Sequence, residues 1–174
     1  MKLIELNKLF GVEYGNKFDL NKMAPAENYE DAIVFVGRSG TNNGVTAFVR
    51  EYQDTEPYPA GLITVALGGA ILSSFVQSRP FYTGQNIAVL RPPDKMGLAE
   101  KLYYCICIRA NLHRYGAFGR EANRTIKTLP VPVRTGKPNW VRSAHKDVVK
   151  EWEADLGTMI AELNQRPRDS KSNI

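Results

Sequence analysis

Residues 99–133 read AEKLYYCICIRANLHRYGAFGREANRTIKTLPVPV, and this stretch predicts how the second half of the chain folds. Residues 95–112 contain few helix breakers, and Leu98, Leu102, Cys105 and Ile106 recur at helical spacing, which predicts a helix. The segment TLPVPV at residues 128–133 must be extended, because its prolines lack an amide hydrogen and disfavour a helix at the residue before them. We therefore expect a helix that leads through a polar bend into a short extended exit.

The bend between these segments, residues 109–127, is strongly basic. It holds four arginines and one lysine against a single acid, Glu121, and this local excess accounts for most of the formal net charge of +5. Guanidinium groups bind phosphates and the edge of guanine through paired hydrogen bonds, and the amides of Asn111 and Asn123 are of the type that recognises adenine. The imidazole of His113 adds a further polar donor. On this chemistry alone, the segment fits a nucleic-acid-binding surface and a solvated basic turn equally well.

The first half of the chain predicts short strands separated by turns. The turn RSGTNNG at residues 38–44 has the Asn-Gly pair of a tight hairpin, and residues 78–83 are predicted to turn at Pro80. A last helix is expected at residues 143–164, where an apolar stripe follows Ser143. The predicted fold class is α/β in the broad sense (α+β): a twisted, mostly antiparallel sheet with packed helices and one C-terminal helix. The predicted strands are two within residues 1–23, then 32–37, 45–52, 61–66, 71–77 and 85–90.

Length and composition set bounds on the class of protein. The chain has 174 residues, of which 43% are hydrophobic and 24% charged, and this is ordinary for one globular domain with a short appendage. Its net charge of +5 favours a polyanionic partner without deciding the matter. The first residues lack the apolar core of a signal peptide, and no apolar run approaches the roughly 20 residues that span a bilayer. We therefore expect a cytoplasmic protein with no membrane partner.

The patterns of catalytic and metal sites are missing from the sequence. Cys105 and Cys107 are too close for an ordinary disulfide and too few for a structural zinc site, so we expect small buried side chains. His113 and His145 have no cysteine or carboxylate at ligand spacing. The carboxylates of the last helix alternate with lysines as exposed ion pairs do, and neither a glycine-rich phosphate loop nor a serine elbow is present. We therefore expect no catalytic residue, no metal and no cofactor.

Five blocks of the sequence, in their order and spacing, resemble the target-recognition domains of type I restriction-modification specificity (S) subunits. One block alone is a weak signal, but the ordered set is strong. The resemblance covers roughly residues 8–133. The blocks are KLFGVEYGNKFDLNKM at residues 8–23, AIVFVGRSGTNNGV at 32–45, GLITVALGG at 61–69, FYTGQNIAVLRP at 81–92 and, most specific, the whole of residues 99–133.

The resemblance implies a DNA-binding module without catalytic activity. Domains of this kind recognise one half of a split DNA target, while long helices dock the methyltransferase subunit that flips the target adenine. The implied partners are double-stranded DNA, the methyltransferase (modification) subunit and a restriction subunit. The methyl donor, S-adenosylmethionine, is bound by the methyltransferase subunit, so no cofactor is implied for this chain.

The chain departs from that pattern because it has one recognition domain, whereas the usual subunit has two in tandem. We expect a target-recognition domain at residues 1–134, a linker at 135–142, a dimerisation or docking helix at 143–164 and a disordered tail at 165–174. A homodimer through this helix would restore the bipartite form and recognise a palindromic target. A truncated or stand-alone copy is the other explanation. The alternative function is a regulatory or anti-restriction protein that mimics a recognition domain and binds the methyltransferase subunit.

Candidate DNA contacts fall in three segments, and each segment also has a structural interpretation. The arginines of the basic bend could instead pair with carboxylates such as Glu100 or Glu121. The segment RSGTNNG could be a plain hairpin turn, and residues 82–86 could serve folding alone. Lys17 and Lys22 are expected to contact phosphates at most. The predicted DNA-binding residues are Arg38, Ser39, Thr41, Tyr82, Thr83, Gln85, His113, Arg114, Arg120, Asn123 and Arg124.

Overall fold

The computed structural model describes residues 2–115 and 121–165. Within these ranges eight short strands precede the first α-helix and a ninth lies between the two α-helices, and the predicted α+β class is confirmed. The strands are β1 (Leu3–Glu5), β2 (Gly11–Tyr14), β3 (Ile33–Val36), β4 (Val45–Val49), β5 (Ile63–Ala66), β6 (Ser74–Val76), β7 (Phe81–Thr83), β8 (Ile87–Arg91) and β9 (Pro130–Pro132), and the helices are α1 (Leu98–Arg109) and α2 (Ala144–Gln165).

Pairing among these strands is almost entirely antiparallel. A four-stranded sheet has the order β2-β8-β5-β6, a three-stranded sheet has the order β4-β3-β7, and β1 pairs with β9. The pair β3–β7 is parallel, and the other pairs formed by these strands are antiparallel. The prediction of mostly antiparallel pairing is therefore confirmed, although the strands are divided among three small sheets.

The predicted strand boundaries are wrong where the backbone takes a left-handed conformation. β6 begins only at Ser74, because Leu72 has a φ of +58°. β8 begins at Ile87, because Asn86, with a φ of +56°, belongs to the preceding turn. Residues 81–83, predicted as a turn, form β7, and the complete burial of this strand leaves no polar alternation to reveal it in the sequence.

β3 lies at the centre of the core because both of its faces are covered. Side chains alternate along a strand, so Val34 and Val36 point to one side and Phe35 to the other. Two apolar clusters therefore hold the ends of this strand, and the loops that follow it, in fixed positions. The clusters are Val34, Val36, Leu62, Phe81 and Val89 on one side, and Met23, Phe35, Val49 and Tyr82 on the other.

Helix α1 buries one face and exposes the other. On the buried face, the ring of Tyr104 packs edge-on against Phe10 at a centroid distance of 5.3 Å, and its hydroxyl donates to the Pro132 carbonyl at 3.1 Å. The helix prediction is confirmed, but much of the apolar spacing that supports it lies on the exposed face. The exposed members are Leu98, Leu102 and Ile106.

The two cysteines of α1 are free thiols. Cys105 is buried, as predicted, and Cys107 is half-buried. Burial raises the pKa of the Cys105 thiol to about 12 and also raises the pKa of Cys107. Both thiols therefore stay protonated near neutral pH, and the thiolate that reacts with oxidants or binds metals is disfavoured.

The chain divides into two compact units, Met1–Pro138 and Asn139–Ile174. Residues 135–138, predicted as linker, fall in the first unit, because Glu100 accepts hydrogen bonds from Arg134 at 2.8 Å and from Lys137 at 3.0 Å. In the second unit, α2 begins and ends one residue later than the predicted helix. Residues 166–174 of the predicted tail lie outside the described residues. No helix in the described ranges has the length and apolarity to cross a membrane.

Candidate nucleic-acid interface

Four loops meet at one end of the strands, and we call them the loop cluster. Backbone hydrogen bonds join them directly. The amide of Ala70 donates to the Arg38 carbonyl at 3.1 Å, and the amide of Leu67 donates to the Asn86 carbonyl at 2.8 Å. The amide of Ala122 in turn donates to the Leu67 carbonyl at 2.8 Å. The loop cluster consists of residues 38–44 after β3, 67–70 after β5, 85–86 before β8, and 121–123.

Gly68 and Gly69 allow the loops to approach closely. Gly69 has a φ of +66°, which glycine adopts without strain, and a Cβ added there would lie 3.1 Å from Cβ of Arg38. A Cβ added at Gly68 would lie 3.1 Å from Oε1 of Glu121. Because neither glycine has a side chain, Arg38 can pack against Gly69 and Glu121 against the adjacent Gly68.

Three polar side chains of the loop cluster bond to one another, and we call them the amide–carboxylate triad. Nδ2 of Asn86 donates to Oε1 of Glu121 at 3.0 Å, and Nδ2 of Asn123 donates to Oε2 of Glu121 at 2.6 Å. A longer contact of 3.4 Å joins Nδ2 of Asn123 to Oδ1 of Asn86. The exposed carboxylate is therefore oriented by two neutral donors.

Tyr14 and two lysines form a basic rim beside the triad. The Tyr14 hydroxyl donates to the Asn123 carbonyl, and the ammonium groups of Lys17 and Lys127 lie 5.8 Å and 6.0 Å from the Tyr14 ring centroid. This rim and the triad together offer ammonium groups, amides and an aromatic ring to a polyanion. An open depression of about 260 Å³ is lined by Tyr14, Lys17, Asn86, Ile87 and Asn123.

The cations around the loop cluster are exposed and form no ion pair with carboxylates of the described residues. Arg38, Arg124, Lys17 and Lys127 take part in none of the ion pairs formed there. Glu100, the suggested partner of the basic bend, binds cations that follow β9 instead. The positive charge of this face is therefore available to an external anion. The ion pairs are Arg50–Glu27, Arg91–Glu13, Arg134–Glu100 and Lys137–Glu100.

The structure brings several of the predicted DNA contacts together. Arg38, Gln85 and Asn123 belong to the loop cluster, and Arg124 is the next residue along the chain; of these, Arg38, Gln85 and Arg124 are exposed. Asn123 is half-buried because its amide is part of the triad. Arg120 lies outside the described residues.

Ser39 and Thr41 also lie in the loop cluster, but their polar groups bond locally. The two hydroxyl oxygens lie 3.1 Å apart, and the Thr41 amide donates to Oγ of Ser39 at 3.2 Å. These bonds close the turn between β3 and β4, which confirms the hairpin interpretation of RSGTNNG. A contact with DNA through either hydroxyl remains a prediction.

The structure contradicts Tyr82 and Thr83 as direct DNA contacts, because both side chains are completely buried. The Tyr82 hydroxyl donates to the Thr55 carbonyl inside the unit. The Thr83 amide donates to Oδ1 of Asn16 at 3.1 Å, and its hydroxyl packs so closely on Gly15 that a Cβ there would lie 2.0 Å from Oγ1. Both residues therefore serve the packing of β7.

His113 and Arg114 lie in the 3-10 turn that follows α1, and both are exposed. Nδ1 of His113 lies 3.0 Å from a backbone carbonyl oxygen of the same turn. The Tyr115 hydroxyl lies 2.6 Å from Oγ1 of Thr125. Because of this contact, the segment that carries Arg114 runs beside the segment that carries Arg124.

Sequence reasoning missed Tyr14 and Glu121 as members of this site, and it included Asn86 only within the candidate segment of residues 82–86. The one signal for Glu121 is that it stands alone as an acid in a basic segment. Tyr14 reaches the site because β2 pairs with β8 in a register that sets Tyr14 opposite Ala88. The register of two strands that are distant in sequence cannot be predicted from the local sequence pattern of either strand.

Residues 1–133 match the family model described as the type I restriction modification DNA specificity domain. The chain therefore belongs to the family of type I restriction modification DNA specificity domains. No match was found among curated protein sequences.

Three solved structures share the fold at low sequence identity. The S subunit of a type I restriction-modification system from M. genitalium is 14% identical, with a TM-score of 0.60 over 94% of this chain and 41% of that chain. The HsdS subunit from Thermoanaerobacter tengcongensis is 16% identical, with a TM-score of 0.57 over 91% and 39%. A chain from a structure of the assembly and conformational transition of the type I R-M system is 15% identical, with a TM-score of 0.55 over 93% and 41%. This chain thus spans about two fifths of the length of each.

Proposed function

We propose that this chain is a sequence-specific DNA-binding module, equivalent to half of a specificity subunit, which directs an adenine methyltransferase and restriction complex to its target in the cytoplasm. One observation carries the proposal. A member of the DNA specificity domain family presents exposed arginines and lysines around a bonded cluster of loops, and none of these cations forms an ion pair with a described carboxylate. In this role the chain selects a site on DNA, and a partner subunit performs the chemistry with its own cofactor.

The cations of the interface differ in how firmly their backbone is held by neighbouring loops. Lys17, Lys127 and Arg124 are exposed charges that suit phosphate oxygens, which position a protein on DNA without specifying sequence. Arg38 is different because its backbone is bonded to the loop of Gly69. Its planar fork can bind a phosphate or the O6 and N7 edge of guanine in the major groove.

A second copy of the chain is proposed to complete the bipartite module. The solved S subunit from M. genitalium is matched over only 41% of its length, which leaves room for a second unit of this size. In α2, Leu156 and Met159 are exposed and lie three positions apart, so they share one face of the helix. Pairing of two such faces, or docking of a methyltransferase subunit on them, would remove apolar surface from water. A twofold dimer would recognise a palindromic target.

Selection and salt titration of duplex DNA test this proposal. The full chain should enrich one sequence motif from a pool of randomised duplexes. Its affinity for that motif, measured by fluorescence anisotropy, should fall steeply between about 50 and 200 mM salt, because bound phosphates release counterions. A chain that enriches no motif contradicts the proposal. Binding to a methyltransferase subunit without binding to DNA would favour the regulatory alternative.

Substitution of single cations tests whether DNA binding depends on this interface or on the surface charge of the chain in general. Arg124→Ala and Lys127→Ala should each weaken binding to all sequences alike and reduce the salt slope by about 1. Arg50→Ala is the matched control, because Arg50 is exposed, is paired with Glu27 and lies at the end of β4 opposite the loop cluster. The control should keep the affinity and the salt slope of the unaltered chain.

A further inference from the structure

We propose that Glu121 is a base-recognition residue, whose carboxylate accepts a hydrogen bond from the exocyclic amino group of a cytosine or an adenine in the major groove. The inference rests on the proposed function and extends it to a residue that carries the opposite charge to the rest of the interface. The major groove presents amino groups as hydrogen-bond donors at N4 of cytosine and N6 of adenine. A carboxylate is an acceptor for either group.

The charge of Glu121 favours a base over the sugar–phosphate backbone as its partner. A carboxylate repels phosphate, yet Glu121 is an exposed member of the loop cluster, whose described charges also include the exposed cation Arg38. None of the ion pairs formed by the described residues includes it. The DNA backbone offers only acceptors, so the donors that an acid can use lie on the base edges.

Both oxygens of Glu121 keep the capacity to accept another bond. An ionised carboxylate has about four acceptor positions, and the amides of Asn86 and Asn123 occupy one on each oxygen, at 3.0 Å and 2.6 Å. Because the side chain is exposed, the remaining positions are open to an external donor. A base amino group can therefore bind without displacing either amide.

The surrounding backbone holds the carboxylate in place before DNA binds. Leu67 joins the two loops of the triad, since its carbonyl accepts from the Ala122 amide and its own amide donates to the Asn86 carbonyl, both at 2.8 Å. The Tyr14 hydroxyl fixes the far side through the Asn123 carbonyl. A group that is already oriented loses little conformational entropy on binding and discriminates more strongly between bases.

A purely structural role for Glu121 makes different predictions. In that role the carboxylate would only tie the loop of Asn123 to the turn at Asn86. Its loss would lower the melting temperature and would weaken binding to every sequence by the same factor. Loss of a base contact instead relaxes the preference at one base pair and leaves the other positions unchanged.

Motif selection with Glu121→Ala distinguishes these roles, because alanine has no acceptor, whereas a glutamine oxygen would still accept from a base amino group. The unaltered full-length chain should prefer an amino-bearing base at one position by about 10-fold, and the variant should lose most of this preference at that position alone. Lys127→Ala is the matched control, since it removes a charge from the basic rim and should keep the whole motif at reduced affinity. A Glu121→Ala variant that enriches the unaltered motif would overturn the inference.

Base analogues test the contact between Glu121 and a base amino group with the unaltered chain, so the result does not depend on how a variant folds. In the motif, 2-pyrimidinone replaces cytosine in one arm and purine replaces adenine in the other, so that only the amino group is removed. One substitution at one position should weaken binding about 10-fold, and the arm in which this occurs identifies the base. A loss in neither arm overturns the inference, whereas failure of the unaltered chain to enrich any motif overturns the proposed function itself.

Discussion

At the scale of single residues, burial separates structural charges from available ones. Glu100 is only 9% exposed and bonds to Arg134 and Lys137. Burial by itself would raise the pKa of the Glu100 carboxyl, but the hydrogen bonds and charges of the two cations prevail and hold its pKa below the ordinary 4.5. This pair of bonds fastens the segment after β9 to the first turn of α1, whereas Arg38 and Arg124 stay exposed to solvent.

Glu100→Gln should lower the free energy of unfolding at pH 7 by about 2 kcal/mol, because a buried charged acceptor with two cationic donors is lost. The folded pKa lies below the unfolded one, so this contribution is fully present above the unfolded value of 4.5 and disappears as the pH falls through the folded value. Urea denaturation at pH 7 and at about pH 3 should therefore show a difference between the two proteins that shrinks at the lower pH.

Glu27→Gln is the control for this measurement. Its partner Arg50 is 53% exposed in its side chain and Glu27 is 77% exposed, so water screens the pair. The control should change the free energy of unfolding by less than about 0.5 kcal/mol. If Glu100→Gln had an equally small effect, or an effect that did not depend on pH, the carboxylate would not have the structural role described above.

At the scale of elements, α1 is joined to β9 by an amide that the sequence suggests as a reader of adenine. Asn111 is 7% exposed, and its Nδ2 donates to the carbonyls of Cys107 and Pro130, each at 3.0 Å. The first bond satisfies a carbonyl in the last turn of the helix, and the second reaches the strand that leaves the bend. The Asn111 side chain therefore links α1 to β9, the elements that precede and follow the basic bend.

Asn111→Ala should lower the free energy of unfolding by about 2 kcal/mol, because two half-buried carbonyls lose the donor that a buried amide supplies. Thermal or urea denaturation measures this loss. Asn28→Ala, at an exposed position, is the control and should have little effect. The DNA motif selected by Asn111→Ala should match that of the unaltered chain. An altered motif at unchanged stability would instead place Asn111 in the interface.

At the scale of the whole molecule, the proposed partner of α2 is a second copy of the chain. The unaltered protein should have twice the chain mass of 19.5 kDa by light scattering at micromolar concentration. Replacing both Leu156 and Met159 with aspartate should reduce this to the mass of one chain, because charges cannot be buried between two apolar faces without cost.

Glu151→Gln with Glu153→Gln is the control for the dimer, since both residues are exposed on α2. The control should keep the mass of the unaltered protein, and circular dichroism should show the same helix content in all three proteins. A single-chain mass for the unaltered protein would rule out the homodimer. A dimer that survives both aspartates would place the contact elsewhere.

The sequence by itself determined both α-helices and several of the extended segments, because the causes there are local; β7, which was predicted as a turn, is an exception. Pro130 and Pro132 exclude a helix and form β9, and the apolar period of residues 143–164 falls within one residue of α2. The Asn-Gly turn likewise joins β3 to β4 as expected. The arginine-rich residues 109–127 include residues 121–123 of the loop cluster, and their contact with DNA stays a prediction.

Only the tertiary structure decided which polar side chains meet there. Asn86 and Glu121 are 35 residues apart in sequence, and they bond because Leu67 holds both of their loops. Packing against Gly15 in turn buries Thr83, which is polar enough to suggest a DNA contact. The physical reason is that contacts between side chains follow from strand register and loop packing, which depend on distant partners, whereas helical period and turn chemistry depend on neighbours in the chain.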